Sequence, residues 1–254
     1  MIERETTEHD SVADLRESVQ TAYSGKGSDY DFVRSDESGK LLGEYDIGIV
    51  QRMIPFDVAP KANNLEVGSG TGRFTVPFLR LGYNVTATDI NDSLLQSLRE
   101  KLAVDKQLEN RCDVRVENGF SLSFADDSVD GLMCVHVVPR FETSDDQVAL
   151  LTEFERVLKP GGRLLFNFSN KKSLLYGGLY REHLIAFDDI LSALSKLELD
   201  IIDIEGKWLL NGSLLRKLPA FLRKPIFILD RMLLRFWNSR AWDVFLLVEK
   251  HNKA

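Results

Sequence analysis

The chain is poor in cysteine: Cys112 and Cys134 are the only two in 254 residues. Two thiols cannot make a disulfide framework and their spacing fits no metal site, so no metal is expected. Both read as small buried hydrophobes in a reducing compartment. Long apolar runs are also lacking, and none approaches the roughly 20 residues needed to cross a bilayer. The opening Met1-Ile2-Glu3-Arg4-Glu5 is charged where a secretory leader would be apolar. These features lead to the expectation of a cytoplasmic protein. There is no surplus of positive charge: 32 Lys and Arg face 39 Asp and Glu, giving a formal charge of −7. That balance argues against nucleic acid as the main partner, because neutralising phosphates needs a basic face.

What remains is ordinary globular composition, 44% hydrophobic and 28% charged, long enough to bury a core without staples. Residues 1–40 read as an acidic N-terminal extension, and 41–254 as the folded domain. A helix is expected over Leu41–Ile54, stopped by Pro55. Strands then alternate with helices. Strands are expected at Asn64–Val67, Asn84–Asp89, Asp113–Val116, Val129–Val138, Arg163–Phe168, Leu199–Ile204 and Trp242–Val248. Between them, helical spacing of apolar residues marks Arg73–Leu81, Ser93–Val104, Ser144–Leu158 and Asp188–Leu197. Pro160-Gly161-Gly162 reads as the stop between a helix and the next strand. This order predicts an α/β fold: a doubly wound, mostly parallel seven-stranded sheet with helices on both faces. A basic and apolar helical insertion, about 211–240, precedes the last strand.

In such a sheet, ligands bind beyond the carboxyl ends of the strands, so the turn after the first strand carries the most information. It reads Glu66-Val67-Gly68-Ser69-Gly70-Thr71-Gly72. Glycines permit left-handed backbone and let a ligand approach closely, and the following helix offers free N–H groups. A dinucleotide site wants G-x-G-x-x-G. Here Arg73 stands where its third glycine belongs, and Glu66 would repel a pyrophosphate. An acid before the glycines suits a ligand with an ammonium group, which favours S-adenosylmethionine over NAD.

Residues 64–72, Asn-Leu-Glu-Val-Gly-Ser-Gly-Thr-Gly, resemble the first motif of the class I S-adenosylmethionine-dependent methyltransferases, the small-molecule type that includes ubiquinone-biosynthesis methylases. Val85-Thr86-Ala87-Thr88-Asp89, Phe124–Asp130 and Phe154–Arg163 resemble later motifs of that family in the same order. The resemblance covers about residues 40–205 and implies the last strand to be antiparallel. It implies that Glu66 meets the methionine ammonium and that Gly68, Ser69, Gly70 and Gly72 line the methionine portion. Asp89 would accept from the ribose hydroxyls, and Ile90 would lie against adenine. The family's acid after the third strand is replaced here by Asn118, followed by Gly119 and Phe120, which could accept from and stack on adenine. Tyr30 and Arg34 resemble an N-terminal lid. S-adenosylhomocysteine would be the product. Structural alternatives stay open: Asp89 as a helix cap, Asn118 as a turn residue.

Methyl transfer needs a base only when the acceptor must lose a proton. His136, at the end of the fourth strand, and His183, before the Asp188 helix, are the candidates, since imidazole exchanges protons near neutral pH. The expected acceptor is a small molecule, with a hydrophobic one as the finer expectation. The alternatives are a protein or RNA methyltransferase, or a non-catalytic cofactor-binding scaffold. The segment Leu214–Trp237 is apolar and interleaved with arginines, which fits either a cover over the core or contact with a membrane or lipid. Oligomeric state is not readable from the sequence.

Overall fold

The computed structural model describes residues 37–141, 143–173, 184–209 and 219–252. Seven strands make one sheet: β1 (Asn64–Val67), β2 (Val85–Asp89), β3 (Cys112–Val116), β4 (Val129–Cys134), β5 (Leu158–Ser169), β6 (Leu199–Lys207) and β7 (Asp243–Lys250). Their order is β3-β2-β1-β4-β5-β7-β6. Pairings from β3 through β5 are parallel, and β7 runs antiparallel between β5 and β6. All four residues of β1 are buried, as the central strand of a sheet covered on both faces requires. The progression of strands reverses between β1 and β4, which opens a crevice beyond their carboxyl ends.

Seven α-helices lie among the described residues: α1 (Glu37–Arg52), α2 (Thr75–Arg80), α3 (Asp92–Ala103), α4 (Lys106–Glu109), α5 (Ser144–Val157), α6 (Phe187–Lys196) and α7 (Ala220–Trp237). Helix α3 shows why these sequences fold locally as they do. Asn91 accepts the Ser93 N–H at 3.0 Å, and Leu94, Leu95, Leu98 and Leu102 form its buried stripe. A cap of that kind is worth about 1 kcal/mol. Thr143 starts α5 in the same way, accepting from the Asp146 N–H. The core divides across the sheet. Residues of α5, α6 and α7 pack one face around Phe154, Ile190 and Leu234. Those of α1, α2 and α3 pack the other around Ile49, Phe78 and Leu98.

Three boundaries differ from expectation. The apolar run Val135–Val138 looked like strand, yet β4 ends at Cys134 because His136 turns into the left-handed region at φ 65°. Pro139 then opens a 3-10 turn over Val138–Arg140. Pro160-Gly161-Gly162 is not a break. β5 begins at Leu158 and runs through it, with Gly161 at φ 75° and a register shift against β4 between Val129 and Gly131. Helix α1 starts at Glu37, four residues before Leu41.

Candidate active site

The glycine turn leaves β1 and folds back over β2. The N–H groups of Gly68 and Ser69 both donate to the Thr88 carbonyl, at 2.8 and 2.9 Å. Gly68, Gly70 and Gly72 all have positive φ, at 78°, 53° and 85°. Their surroundings differ. A Cβ on Gly68 would sit 2.1 Å from Val137 Cγ2, which locks this turn against the loop after β4. A Cβ on Gly72 would meet Leu98 of α3 at 2.4 Å. A Cβ on Gly70 would meet nothing within 4 Å, so the middle of the turn faces open space.

Two acids border that space. Glu66 is 2% exposed, and Thr75 Oγ1 donates to it at 2.7 Å. Burial pushes its carboxyl up to about 7, Thr75 opposes the shift, and the charge of Asp89 adds to it. Asp89 ends β2. One carboxylate oxygen accepts the Gly70 N–H and the other the Asn91 N–H, each at 2.9 Å. Burial raises its carboxyl above the ordinary range, against these backbone bonds. Each oxygen keeps a further lone pair for a ligand. The Ser69 hydroxyl is buried without a hydrogen-bond partner among the described residues. A buried acid of raised proton affinity, an orphan hydroxyl and an open glycine suit the amino-acid end of a cationic nucleoside.

Ile90 follows Asp89, and the β2–β3 register, Asp89 opposite Val116, brings Asn118, Gly119 and Phe120 to the same edge. Asn118 Oδ1 accepts the Phe120 N–H at 3.1 Å, so the asparagine shapes its own turn. Phe120 packs edge-on to Phe141 at 4.9 Å between ring centroids, which occupies one edge of its ring. Tyr30, Arg34 and His183 lie outside the described residues.

Across the crevice, the loop after β4 presents His136, which the sequence singled out. Around it is a polar network the sequence did not reveal. His136 Nε2 lies 3.2 Å from Asp46 Oδ2 of α1, and Asp46 also pairs with Arg73 and with Lys207 at the end of β6. Burial opposes ionisation of Asp46, but Lys207, His136 and Arg73 outweigh it and hold the carboxyl well below the usual range. Asn167 of β5 accepts the His136 backbone N–H at 2.6 Å, donates to Asp243 of β7 at 2.6 Å, and lies 3.4 Å from His136 Nδ1. With Asp46 ionised, the network assigns the imidazole proton to Nε2 and leaves Nδ1 as acceptor. Asp46, Asn167, Lys207 and Asp243 are buried polar residues, but each lies in an element that carries other polar residues, so nothing in the sequence set them apart. Tyr45, Trp208 and Phe227 build an aromatic wall beside them, with centroids 5.1–6.0 Å apart.

Comparison with known proteins matches residues 65–166 to a methyltransferase domain model. A ubiquinone/menaquinone biosynthesis C-methyltransferase from Teredinibacter turnerae is 30% identical over 177 residues, covering 67% of each chain. Its counterpart from Marinomonas sp. is 36% identical over 137 residues, 52% of each. The matches span between 40% and 67% of the length of these curated relatives. Among solved structures, the magnesium protoporphyrin IX methyltransferase from Synechocystis PCC 6803 with bound S-adenosylmethionine aligns at TM-score 0.65 and 14% identity. The alignment covers 92% of this chain and 96% of that one.

Proposed function

The chain belongs to the class I S-adenosylmethionine-dependent methyltransferases, and we propose that it methylates a small hydrophobic acceptor. The observation that carries this reading is the edge where buried Glu66, open Gly70 and Asp89 face the His136 network across the strand reversal. When bound, S-adenosylmethionine supplies an electrophilic methyl group on a sulfonium. Glu66 would hold the ammonium through its carboxylate, and the unpartnered Ser69 hydroxyl would be available to the same end. Asp89 presents a fork of acceptors to the ribose hydroxyls. Ile90 and the Asn118–Phe120 turn border the adenine side. Holding donor and acceptor in line accounts for most of the rate gain.

To take the acceptor's proton, His136 Nδ1 would release its 3.4 Å contact with the Asn167 side-chain amide. Asp46, 3.2 Å from Nε2, then stabilises the imidazolium. The aromatic wall of Tyr45, Trp208 and Phe227 supports an apolar acceptor. The names of the relatives, biosynthesis of ubiquinone and menaquinone, support the same class. The test is transfer of radiolabelled methyl groups into organic-extractable products from a panel of prenylated phenols and quinols. Incorporation is expected, and His136→Ala should lower kcat by roughly 100-fold or more while leaving cofactor affinity intact. A chain that binds the cofactor yet methylates only protein or RNA would contradict the proposal.

A further inference from the structure

Helix α7 carries an apolar surface that the core does not use. Leu234 is buried, Phe227 packs against Tyr45 and Trp208, and Asp230 is buried and accepts the Leu209 N–H at 3.0 Å. Asn238, just past the helix, donates to the Ile204 carbonyl and accepts the Gly206 N–H, so the element is fastened to β6. Opposite this inner face, Phe221, Ile228, Met232 and Phe236 recur at helical spacing and stand 77%, 52%, 60% and 79% exposed. Leu222 and Leu229 widen the stripe, and Trp237 stands half exposed at its end.

The charge around the stripe has one sign. Between 220 and 240 the basic residues are Arg223, Lys224, Arg231, Arg235 and Arg240, and the single acid, Asp230, is turned inward. Arg231 and Arg235 fall one helical turn apart beside the stripe, with the Arg231 guanidinium 5.4 Å from the centre of the Tyr45 ring. No helix among the described residues is long and apolar enough to cross a membrane. An 18-residue helix with Phe, Leu, Met and Trp on one side and arginines beside them is instead built to lie in an interface.

We infer that α7 docks the protein on an anionic phospholipid surface, with Phe221, Ile228, Met232 and Phe236 entering the acyl boundary and the flanking arginines meeting phosphate headgroups. Charge complementarity selects this occupant. The whole chain is acidic, at −7, so the run of arginines beside this stripe stands against the charge of the molecule and is what an anionic bilayer would attract. Docking would place α7 between the lipid and the aromatic wall, because Phe227 on the inner side of α7 is part of that wall. The inference rests on α7 alone and holds whether or not the chain transfers methyl groups.

The test is co-sedimentation of the full chain with vesicles of phosphatidylcholine alone and with 30% phosphatidylglycerol added, a composition chosen to give an anionic surface of the kind such helices read. The anionic vesicles should bind at least about tenfold more protein, high salt should reverse most of it, and Arg235→Glu should lower it by roughly fivefold or more. A double variant, Met232→Ser with Phe236→Ser, should abolish the partitioning, with an unchanged Tm showing that it folds. Equal binding to both vesicles, or full binding by the double variant, would overturn the inference. So would a dimer in ultracentrifugation that the double variant dissociates, since the stripe would then belong to a second copy.

Discussion

Glu66 shows how a single buried carboxylate couples the fold to its ligand. Its carboxyl lies near 7 in the folded chain, above the value of 4.5 for a free glutamate. The folded state therefore holds this proton more tightly than the unfolded one. That contribution to stability is complete below about 4.5 and is lost as pH rises through about 7. Glu66→Gln should flatten this part of the pH dependence, measured by urea unfolding at pH 5 and pH 8. An ammonium beside the carboxylate removes the penalty of ionising it. The affinity advantage of wild type over Glu66→Gln for S-adenosylmethionine should therefore grow from pH 6 to pH 8. An advantage that stays constant would place the ammonium elsewhere. Gly68 makes a separate prediction, because alanine there combines φ 78° with a methyl 2.1 Å from Val137 Cγ2. Gly68→Ala should cost about 2–3 kcal/mol, read from the denaturation midpoint, as strain and overpacking add.

The polar network ties α1 and the glycine turn to the end of the sheet. Asp46 joins α1 to the end of β6 through Lys207 and to the glycine turn through Arg73. Asp46→Ala leaves buried Lys207 with its main partner gone, which should cost about 3 kcal/mol in urea unfolding. Because the folded carboxyl is depressed, its contribution is present above the unfolded value near 4 and is lost as pH falls through the folded one. A loss below 1 kcal/mol at pH 7 would show that Lys207 simply re-pairs with Asp243. Elements were legible in the sequence wherever periodicity and punctuation agreed. β1 runs over Asn64–Val67 as expected, and the leucine stripe of α3 is buried as read. β4 was read too long because Val135–Val138 looks like strand and nothing in it announces the left-handed His136. Pro160-Gly161-Gly162 looked like a stop because a glycine bulge and a turn share the same letters.

At the scale of the molecule, the alternation of elements was enough for the sheet, while its antiparallel last strand and the methyltransferase family came from the resemblance carried by residues 64–72 and the later motifs. The residues proposed for the cofactor could be named from the sequence because they follow the chain closely, from Glu66 through Gly72 to Asp89. Those of the other side could not. Asp46, Asn167, Lys207 and Asp243 come from α1, β5, β6 and β7, and only the folded sheet brings their polar groups together. The central claim is that the edge from Glu66 to Asp89 holds S-adenosylmethionine. Titration calorimetry of the full chain with S-adenosylmethionine, alongside Asp89→Ala, tests it most directly. Saturable binding is predicted, weakened roughly 100-fold or more in the variant, as two charge-assisted hydrogen bonds are lost. No heat of binding to the folded wild-type chain, or equal affinity in the variant, would contradict it.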